Sequence, residues 1–376
     1  MYRIPLFDLN YDEREEQAVI DTLRSKWIST GPKTAQFEDN FAQKLQADNA
    51  LAVCNCTAAL HLAMKALDIE PGDEVICPSL TFVATVNAVR YVGAEPVFAD
   101  IVGDSDLGID PGDIQRLITN RTKAIVVMHY AGFPCDMDAI LKVASEHGLR
   151  VIEDACHGPL SEYNGKKLGT IGDAGCFSFF SNKNLSTGEG GMLVAGSRAV
   201  FDRAKLLRSH GMTTLSYERS KGHSMGYDVV ELGHNYRMDD IRASLGIVQL
   251  EKLEDDLKER AKVRAWYEEA LAEIDEIIVP FKGHKGFVSN YIFPVVLHRS
   301  CAANRDEVRK VLQEQGVQTS MHYPPVHRFS IYKGYSRQLP VTESVVERLI
   351  TLPMYSTISP NDVDMITEAL REAVKH

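Results

Sequence analysis

Residues 124–154 read AIVVMHYAGFPCDMDAILKVASEHGLRVIED, and this stretch decides the fold class. A strand pattern at 124–129 precedes a helical pattern at 137–147 and a second apolar strand pattern, which ends in an acid, at 150–154. Continuous apolar strands that alternate with helices are typical of a parallel sheet covered by helices on both faces. We therefore predict an α/β fold.

The same alternation extends from about residue 35 to residue 200. Before the deciding stretch, apolar spacing predicts further elements. They are helices at 57–67, 82–92 and 111–118 and strands at 74–78 and 96–100. The predicted architecture is a large domain whose mainly parallel sheet is covered by helices.

The pattern changes after Gly191. Residues 238–271 predict one long helix, because apolar residues recur on a single face. The C-terminal part predicts a smaller α+β domain. Its elements are a strand at 290–297, a helix at 305–315, a strand beginning at Gly316 and a closing helix at 361–375. We place a large domain at 1–250, with 1–34 packing across both domains, and a small one at 251–376.

Composition excludes several classes of function. The chain has 376 residues, of which 41 are Lys or Arg and 52 are Asp or Glu, so its formal charge is −11. Because nucleic-acid binding normally requires a basic surface, this charge predicts no nucleic-acid partner. No signal peptide or membrane-length apolar stretch is visible.

Seven cysteines without a disulfide framework suit a reducing compartment, so we expect a cytoplasmic protein. Cys54 and Cys56 lack a second pair with zinc-ligand spacing, and we predict no metal site.

A polar loop contains the first candidate catalytic residue. Residues 175–191 read GCFSFFSNKNLSTGEGG, so one lysine, Lys183, lies between a strand and a glycine cluster. A lysine that forms an imine needs a fixed position and surroundings that favour its neutral amine. A single loop lysine is usually a solvated surface charge, and other residues must decide between the two readings.

Three further sites supply that context. Asp154 ends a buried strand, where α/β sheets bind ligands, although it could also cap a following helix. Thr57 begins a helix whose N-terminus could hold a phosphate, although a simple cap is the commoner role. Phe82 could stack on a planar cofactor, or belong to the core.

Together these residues predict a site for pyridoxal 5′-phosphate. They supply an imine-forming lysine, a carboxylate that keeps a ring nitrogen protonated, a phosphate cradle and a stacking face. The sequence contains neither G-x-G-x-x-G nor G-x-x-x-x-G-K-[ST]. A dinucleotide dehydrogenase and a P-loop enzyme are therefore disfavoured.

The chain resembles the DegT/DnrJ/EryC1/StrS sugar aminotransferases over nearly its whole length. The resemblance rests on an ordered series of motifs. They are CTAALHLA (56–63), PGDEVI (71–76), PSLTFVAT (78–85), EDACH (153–157), FSFF (177–180), KNLSTGEGG (183–191), ELGHNYRM (231–238), HYPPVH (322–327) and LPMY (352–355).

The resemblance implies a fold-type-I pyridoxal-phosphate enzyme that forms homodimers with active sites at the subunit interface. It also implies roles for individual residues. Lys183 is the Schiff-base lysine, and Asp154 pairs with the pyridine nitrogen. His157 lies near the cofactor ring and its phenolic oxygen, and Phe82 stacks on the ring. The phosphate is held by Thr57, the Ala58 backbone and Ser178, and Asn235 reaches it from the partner subunit. The sugar-nucleotide pocket is lined by Thr30 and His327.

By this resemblance the enzyme moves an amino group from L-glutamate to a nucleotide-linked keto-sugar, for amino-sugar or glycan biosynthesis. Many relatives have Gly where this chain has Cys56. A dehydrating branch has His in place of the lysine, and the presence of Lys183 favours transamination. Two alternatives stay open: a related enzyme acting on a non-sugar carbonyl compound, and a non-catalytic regulatory protein. The nucleotide, the sugar and amination at C3 or C4 also stay open.

Overall fold

The computed structural model describes residues 2–214 and 226–375. The helices are α1 (Glu13–Ser25), α2 (Pro32–Leu45), α3 (Cys56–Ala66), α4 (Val83–Tyr91), α5 (Pro111–Leu117), α6 (Met137–His147), α7 (Arg198–Arg208), α8 (Asp240–Ala270), α9 (Arg305–Glu314), α10 (Pro340–Val346) and α11 (Pro360–Val374). The strands are β1 (Leu51–Val53), β2 (Glu74–Pro78), β3 (Glu95–Ala99), β4 (Ile101–Gly103), β5 (Asp106–Ile109), β6 (Thr122–Met128), β7 (Arg150–Asp154), β8 (Glu162–Tyr163), β9 (Lys166–Lys167), β10 (Ala174–Ser178), β11 (Gly191–Ala195), β12 (Ile277–Ile278), β13 (Phe293–Leu297) and β14 (Leu349–Leu352).

The large sheet has the strand order β1-β11-β10-β7-β6-β2-β3. Only β11 runs against its neighbours, pairing antiparallel with β1 and with β10. Strand β6 shows why the sheet is covered on both faces. Its alternate residues Ala124 and Val126 pack in one apolar cluster, and Ile125 and Val127 pack in another, as the period of two in a strand requires. The predicted α/β class with a mainly parallel sheet is confirmed.

Local signals fix the helices that follow these strands. The side chain of Asp136 caps α6 by accepting from the Ala139 amide at 3.1 Å. The helix ends at Gly148, whose positive φ of 65° is easily adopted by glycine. Observed α6 therefore has the predicted bounds.

Helix α8 links the two parts of the chain. Near its start, Ile247 and Leu250 pack in the cluster that contains Phe37 of α2. Near its end, Val263 and Tyr267 pack in the C-terminal cluster. That cluster fills the space between the antiparallel sheet β12-β13-β14 and helices α9 and α11. The proposed domain boundary at residue 250 lies inside α8 and stays a prediction.

The strand predicted at Gly316 is wrong. Val317 forms only an isolated parallel bridge with Ile4, and Ser320 forms an isolated antiparallel bridge with Thr351. The backbone turns at Gly316, whose φ is 82°. The neighbouring backbone groups form hydrogen bonds with the N-terminal segment and not with a second full strand. Ile4 thereby joins the C-terminal core.

Among the described residues, no helix is both long enough and apolar enough to cross a lipid bilayer.

Candidate functional site

The ends of parallel strands define a cleft in the large domain. Asp154 is the last residue of β7 and Ser178 the last residue of β10, so both lie at the carboxyl edge of the sheet. The cleft has a volume of about 360 Å³. It is lined by Asn55, Cys56, Thr57, Leu60, Phe82, Ala84, Asp154, Cys156, Ser178, Phe180, Asn182, Lys183, Glu189, Tyr291, His322 and Tyr323.

The loop between β10 and β11 holds Lys183 in a fixed position. Its base is closed by the Phe179 amide donating to the Gly190 carbonyl and the Thr187 amide donating to the Phe179 carbonyl, both at 2.9 Å. The Lys183 amide itself donates to the Phe180 carbonyl at 2.9 Å. Its Nζ lies 4.0 Å from the centroid of the Tyr291 ring. The lysine is therefore held inside the cleft rather than solvated on the surface.

The electrostatics of Lys183 differ from the sequence expectation. Burial on its own lowers the pKa of the amine, but the charges of Cys156, Tyr291 and Asp154 act in the opposite direction, and the net pKa is raised. These three groups therefore do not favour the neutral amine that imine formation requires. The physical reason is that Cys156, Tyr291 and Asp154 line the same cleft as the amine.

Asp154 is a buried carboxylate with few partners. Only 3% of the residue is exposed. Its Oδ2 accepts from Thr85 Oγ1 at 2.6 Å, and its Oδ1 accepts from the Cys156 amide at 3.2 Å. Turns rather than a helix follow the strand, so the alternative role as a helix cap is wrong. A buried carboxylate that faces a cleft next to an amine is suited to a cationic ring nitrogen.

The N-terminus of α3 forms another wall of the cleft. Thr57 lies in its first turn, where amides and the positive end of the helix dipole favour a phosphate. The Ala58 amide already donates to Asn55 Oδ1 at 2.9 Å, a contact that the sequence interpretation did not anticipate. Gly191 packs tightly here, because an added Cβ would lie 2.5 Å from the Asn55 carbonyl carbon.

Aromatic rings line the open side of the cleft. Phe82, the residue before α4, is 53% exposed, so the alternative that it belongs to the core is wrong. Its ring centroid lies 5.7 Å from that of Tyr323, and the rings are tilted by 56°. Phe180 is also exposed at the rim. These rings leave an apolar face available to a planar ligand.

His157 lies behind this wall and does not line the cleft directly. It is fully buried, and its Nε2 lies 2.8 Å from Tyr323 Oη. Its Nδ1 accepts from the Ala131 amide at 3.3 Å. Burial, followed by the charges of Lys183 and His322, lowers the pKa of His157 well below its ordinary value, so the ring is neutral near pH 7.

Besides His157 and Ala58, three residues from the sequence prediction lie outside this cleft. Asn235 forms an isolated bridge with Ser209. Thr30 donates from Oγ1 to the Met238 carbonyl at 2.6 Å. His327 is buried, and its Nδ1 lies 2.6 Å from Ser79 Oγ. The roles predicted for Asn235, Thr30 and His327 stay predictions.

Sequence reasoning missed several residues that line the cleft. Tyr291 was assigned only to a strand, although that strand begins later, at Phe293. His322 and Tyr323 belong to the HYPPVH motif, which carried the resemblance without a role for either residue. Asn182 precedes the lysine, and its buried Oδ1 has no hydrogen-bond partner among the described residues. Proximity of HYPPVH to the lysine loop is a tertiary fact that no local pattern reveals.

The donor set of the cleft fits pyridoxal phosphate. It combines an amine, a buried carboxylate that accepts from the Thr85 hydroxyl and the Cys156 amide, a helix N-terminus with a hydroxyl, and an exposed ring. The unpartnered Asn182 oxygen adds a free acceptor at the same place. Within the described ranges, no group of three or more His, Cys, Asp or Glu side chains is arranged to hold a metal ion.

Comparison with known proteins agrees with this geometry. The family model of the DegT/DnrJ/EryC1/StrS aminotransferases matches residues 10–371. The spore coat polysaccharide biosynthesis protein SpsC of Bacillus subtilis is 41% identical, covering 100% of this chain and 97% of its own. GDP-perosamine synthase of Escherichia coli O157:H7 is 36% identical, with 99% of each chain covered.

Solved structures give the same result. The Streptococcus pneumoniae protein Spr1654 in its PMP form superimposes with a TM-score of 0.93 at 29% identity, covering 99% of each chain. A PLP form of that protein is also known, and together with the family match these forms indicate dependence on pyridoxal phosphate. The chain belongs to the DegT/DnrJ/EryC1/StrS aminotransferase family, as a pyridoxal-phosphate-dependent sugar aminotransferase.

Proposed function

We propose that this enzyme transfers an amino group from L-glutamate to a nucleotide-linked keto-sugar, with Lys183 as the point of cofactor attachment and Asp154 as the partner of the pyridine nitrogen. The observation that carries the proposal is the convergence of Lys183 and Asp154 on one cleft at the carboxyl edge of the sheet. The two residues come from different strand ends, and only the fold brings them together.

Bound pyridoxal phosphate supplies an electron sink for the charge left on the substrate carbon when its proton is removed. The Asp154 carboxylate keeps the ring nitrogen protonated and so keeps that sink effective. Lys183 Nζ would hold the cofactor covalently between turnovers. Once displaced by an incoming amine, Nζ would be the base that moves the proton from the substrate carbon to C4′ of the cofactor.

The phosphate end of the site uses the start of α3. Thr57 Oγ1 and Ser178 Oγ supply hydroxyl donors, and the helix dipole supplies positive potential in a chain whose net charge is −11. Contact with the Ala58 amide requires that amide to exchange its present acceptor, Asn55 Oδ1. Phe82 would stack on the cofactor ring. His157, whose Nε2 contacts Tyr323 behind the cleft wall, would lie near that ring and its phenolic oxygen.

We propose a homodimer in which Asn235 of one copy reaches the phosphate in the other. Asn235 lies outside its own chain's cleft, as such a contact requires. The segment just before it exposes apolar side chains, among them Leu232, which is 85% exposed. Apolar surface of this kind is typical of a protein interface.

The acceptor is proposed from relatives and from the site together. GDP-perosamine synthase is named for a nucleotide-linked amino sugar, and it matches this chain end to end. A nucleotide-linked substrate also suits a cleft whose rim is open and aromatic. Thr30 and His327 stay candidates for the sugar-nucleotide pocket.

The test is a panel of nucleotide-linked keto-sugars incubated with the holoenzyme and L-glutamate, read by mass spectrometry. We expect one or a few members to give the amino-sugar nucleotide together with 2-oxoglutarate. The control is Lys183→Ala, which should give neither product. If glutamate bleaches the cofactor band but no member of the panel is aminated, the acceptor is a different carbonyl compound. If glutamate causes no bleaching, catalysis itself is contradicted.

A further inference from the structure

A histidine and a tyrosine form a pair behind the reacting end of the cleft. His157 Nδ1 accepts a hydrogen bond from the Ala131 amide at 3.3 Å, and an accepting ring nitrogen carries no proton. The proton of the neutral ring is therefore on Nε2. Since Nε2 lies 2.8 Å from Tyr323 Oη, His157 is the donor and the tyrosine oxygen is the acceptor.

The surroundings hold this arrangement in a single state. The ring of His157 is enclosed by Tyr130, Tyr291 and Tyr323 and is fully buried. Burial together with the charges of Lys183 and His322 keeps its pKa low, so protonation does not compete near neutral pH. The tyrosine hydroxyl therefore receives its hydrogen bond from one fixed direction.

This leaves the hydroxyl hydrogen of Tyr323 free to point into the cleft. The oxygen already accepts from His157, and no second partner for it is found in residues 2–214 and 226–375. Tyr323 lines the cleft with Lys183 and Tyr291. Burial raises the pKa of Tyr323 well above its ordinary value, so the hydroxyl keeps its hydrogen and acts as a donor, not as an acid.

The backbone beside Tyr323 is also anchored. The Tyr130 hydroxyl donates to the His322 carbonyl, and His322 Nδ1 lies 3.1 Å from Thr351 Oγ1. The donor is thus fixed from both sides, by His157 at the hydroxyl and by the carbonyl and side-chain contacts of the preceding residue, His322. Donors held in advance are effective at stabilising charge that develops during a reaction.

We propose that Tyr323 donates a hydrogen bond to the oxygen on the reacting carbon of the acceptor sugar, and that His157 is the positioning residue that directs this donor. The assignment rests on the proposed function, because it requires a carbonyl acceptor. The hydrogen bond stabilises negative charge on the carbonyl oxygen while the C–N bond forms and the C=O π bond breaks. The nitrogen gives up two hydrogens to that oxygen, which then leaves as water. No proton leaves Tyr323 in this role.

The proposal predicts different effects on the two halves of the reaction. Removal of the proton from glutamate, seen as bleaching of the cofactor band, takes place before any oxygen is on the reacting carbon. Amination of the keto-sugar begins with that oxygen in place. Loss of the Tyr323 hydroxyl should therefore slow the second process and leave the bleaching rate unchanged.

The first experiment compares Tyr323→Phe with the wild-type holoenzyme. We expect kcat/KM for the keto-sugar to fall by about 10²-fold, the usual effect of losing one such donor, with unchanged bleaching by glutamate. Calorimetry should show weaker binding of the keto-sugar but unchanged binding of the amino-sugar product. Equal losses in both halves, or no loss in either, would overturn the assignment.

A matched control is Tyr332→Phe. Tyr332 is also buried, and its hydroxyl donates to Asn87 Oδ1 at 2.5 Å, but it does not line the cleft. It should leave both halves unchanged. If it slowed keto-sugar amination as Tyr323→Phe does, the effect would come from the general loss of a buried hydroxyl and the assignment would fail.

The role of His157 is tested by a pair of variants. His157→Gln keeps an N–H donor and should restore most of the activity, while His157→Met removes the donor and should reproduce the pattern of Tyr323→Phe. Similar behaviour of the two variants would contradict positioning by hydrogen bonding. Nitrogen-15 NMR of the labelled protein gives a readout independent of turnover: Nε2 of His157 should be protonated and Nδ1 should not. The reverse tautomer would overturn the proposal.

Failure of this assignment can be told apart from failure of the proposed function. If the wild-type enzyme aminates no nucleotide-linked keto-sugar, the proposed acceptor is wrong and the assignment to its oxygen is wrong with it. If the wild type aminates the sugar and Tyr323→Phe does so equally fast, only the assignment is wrong.

Discussion

Two adjacent carboxylates at the end of β7 face opposite sides of the sheet and have very different surroundings. Glu153 accepts from the amides of Gly169, Ile171 and Gly172 at 2.7–2.8 Å and lies 2.9 Å from His129 Nε2. Among the described residues, Asp154 accepts from one hydroxyl, that of Thr85, and from one backbone amide, that of Cys156, and it lines the cleft. Both are buried, so burial alone does not distinguish a structural acid from a functional one. The number of hydrogen-bond donors that already contact each carboxylate distinguishes the two acids.

The comparison explains what each acid contributes. The donors around Glu153 come mainly from the backbone of the 169–172 segment, so this carboxylate fixes a loop. The Asp154 carboxylate retains capacity for a cation, and the Lys183 loop lies on its side of the sheet. Substitutions on the cleft side of the sheet should lower activity, and substitutions on the Glu153 side should lower stability.

The largest effect is expected for Lys183→Ala. Loss of both the covalent attachment point and the base should lower kcat by about 10⁴-fold or more. The free energy of unfolding should change little, because the contact of Nζ with the Tyr291 ring lies in the cleft and not in the apolar core. Steady-state assays and urea unfolding measure the two quantities. Near-normal transamination by this variant would remove Lys183 from the mechanism.

Asp154→Asn should have the next largest effect. The amide oxygen can still accept from Thr85, so the fold and cofactor binding should persist, but the pyridine nitrogen loses its counter-charge. We expect the first half-reaction to slow by about 10²-fold, measured by stopped-flow absorbance with glutamate. A rate close to that of the wild type would contradict the role of Asp154.

Glu153→Gln provides the matched comparison on the other face. An amide in place of the carboxylate puts an NH₂ group against backbone donors and leaves at least one of them unpaired. We expect a loss of about 2 kcal/mol in the free energy of unfolding, measured by urea denaturation, with kcat per folded molecule unchanged. A loss of activity without a loss of stability would break the distinction between the two acids.

The smallest effect is expected for Phe82→Ala. Because Phe82 is 53% exposed, its removal should barely change unfolding. Loss of the ring should weaken cofactor binding by about 1 kcal/mol, measured as the dissociation constant of pyridoxal phosphate by fluorescence titration. Unchanged binding would show that this ring does not stack on the cofactor.

Much of this architecture could be predicted from local sequence patterns. The apolar run at 124–128 and the spacing in 137–147 depend on neighbours along the chain, and β6 and α6 are found there. The strand expected at Gly316 failed because its partner is a residue from the far N-terminus, Ile4. Pairing over such a distance leaves no local signal.

The candidate site likewise contains residues that local sequence patterns predict and residues that they do not. Lys183 and Asp154 could be named because each ends or follows a strand of one sheet, and parallel strands bring their carboxyl ends together. Tyr291 and Tyr323 could not be assigned roles, because they come from distant segments that approach the lysine only in the folded chain. The raised pKa of Lys183 likewise depends on neighbours that are distant in sequence.

The most direct test of the central claim is chemical trapping at Lys183. The purified protein is incubated with pyridoxal phosphate, reduced with borohydride, digested and mapped by mass spectrometry. We predict that the phosphopyridoxyl group is found on the peptide that contains Lys183, and that Asp154→Asn is labelled at the same residue. Labelling at another lysine, or no labelling of the native protein, would contradict the account.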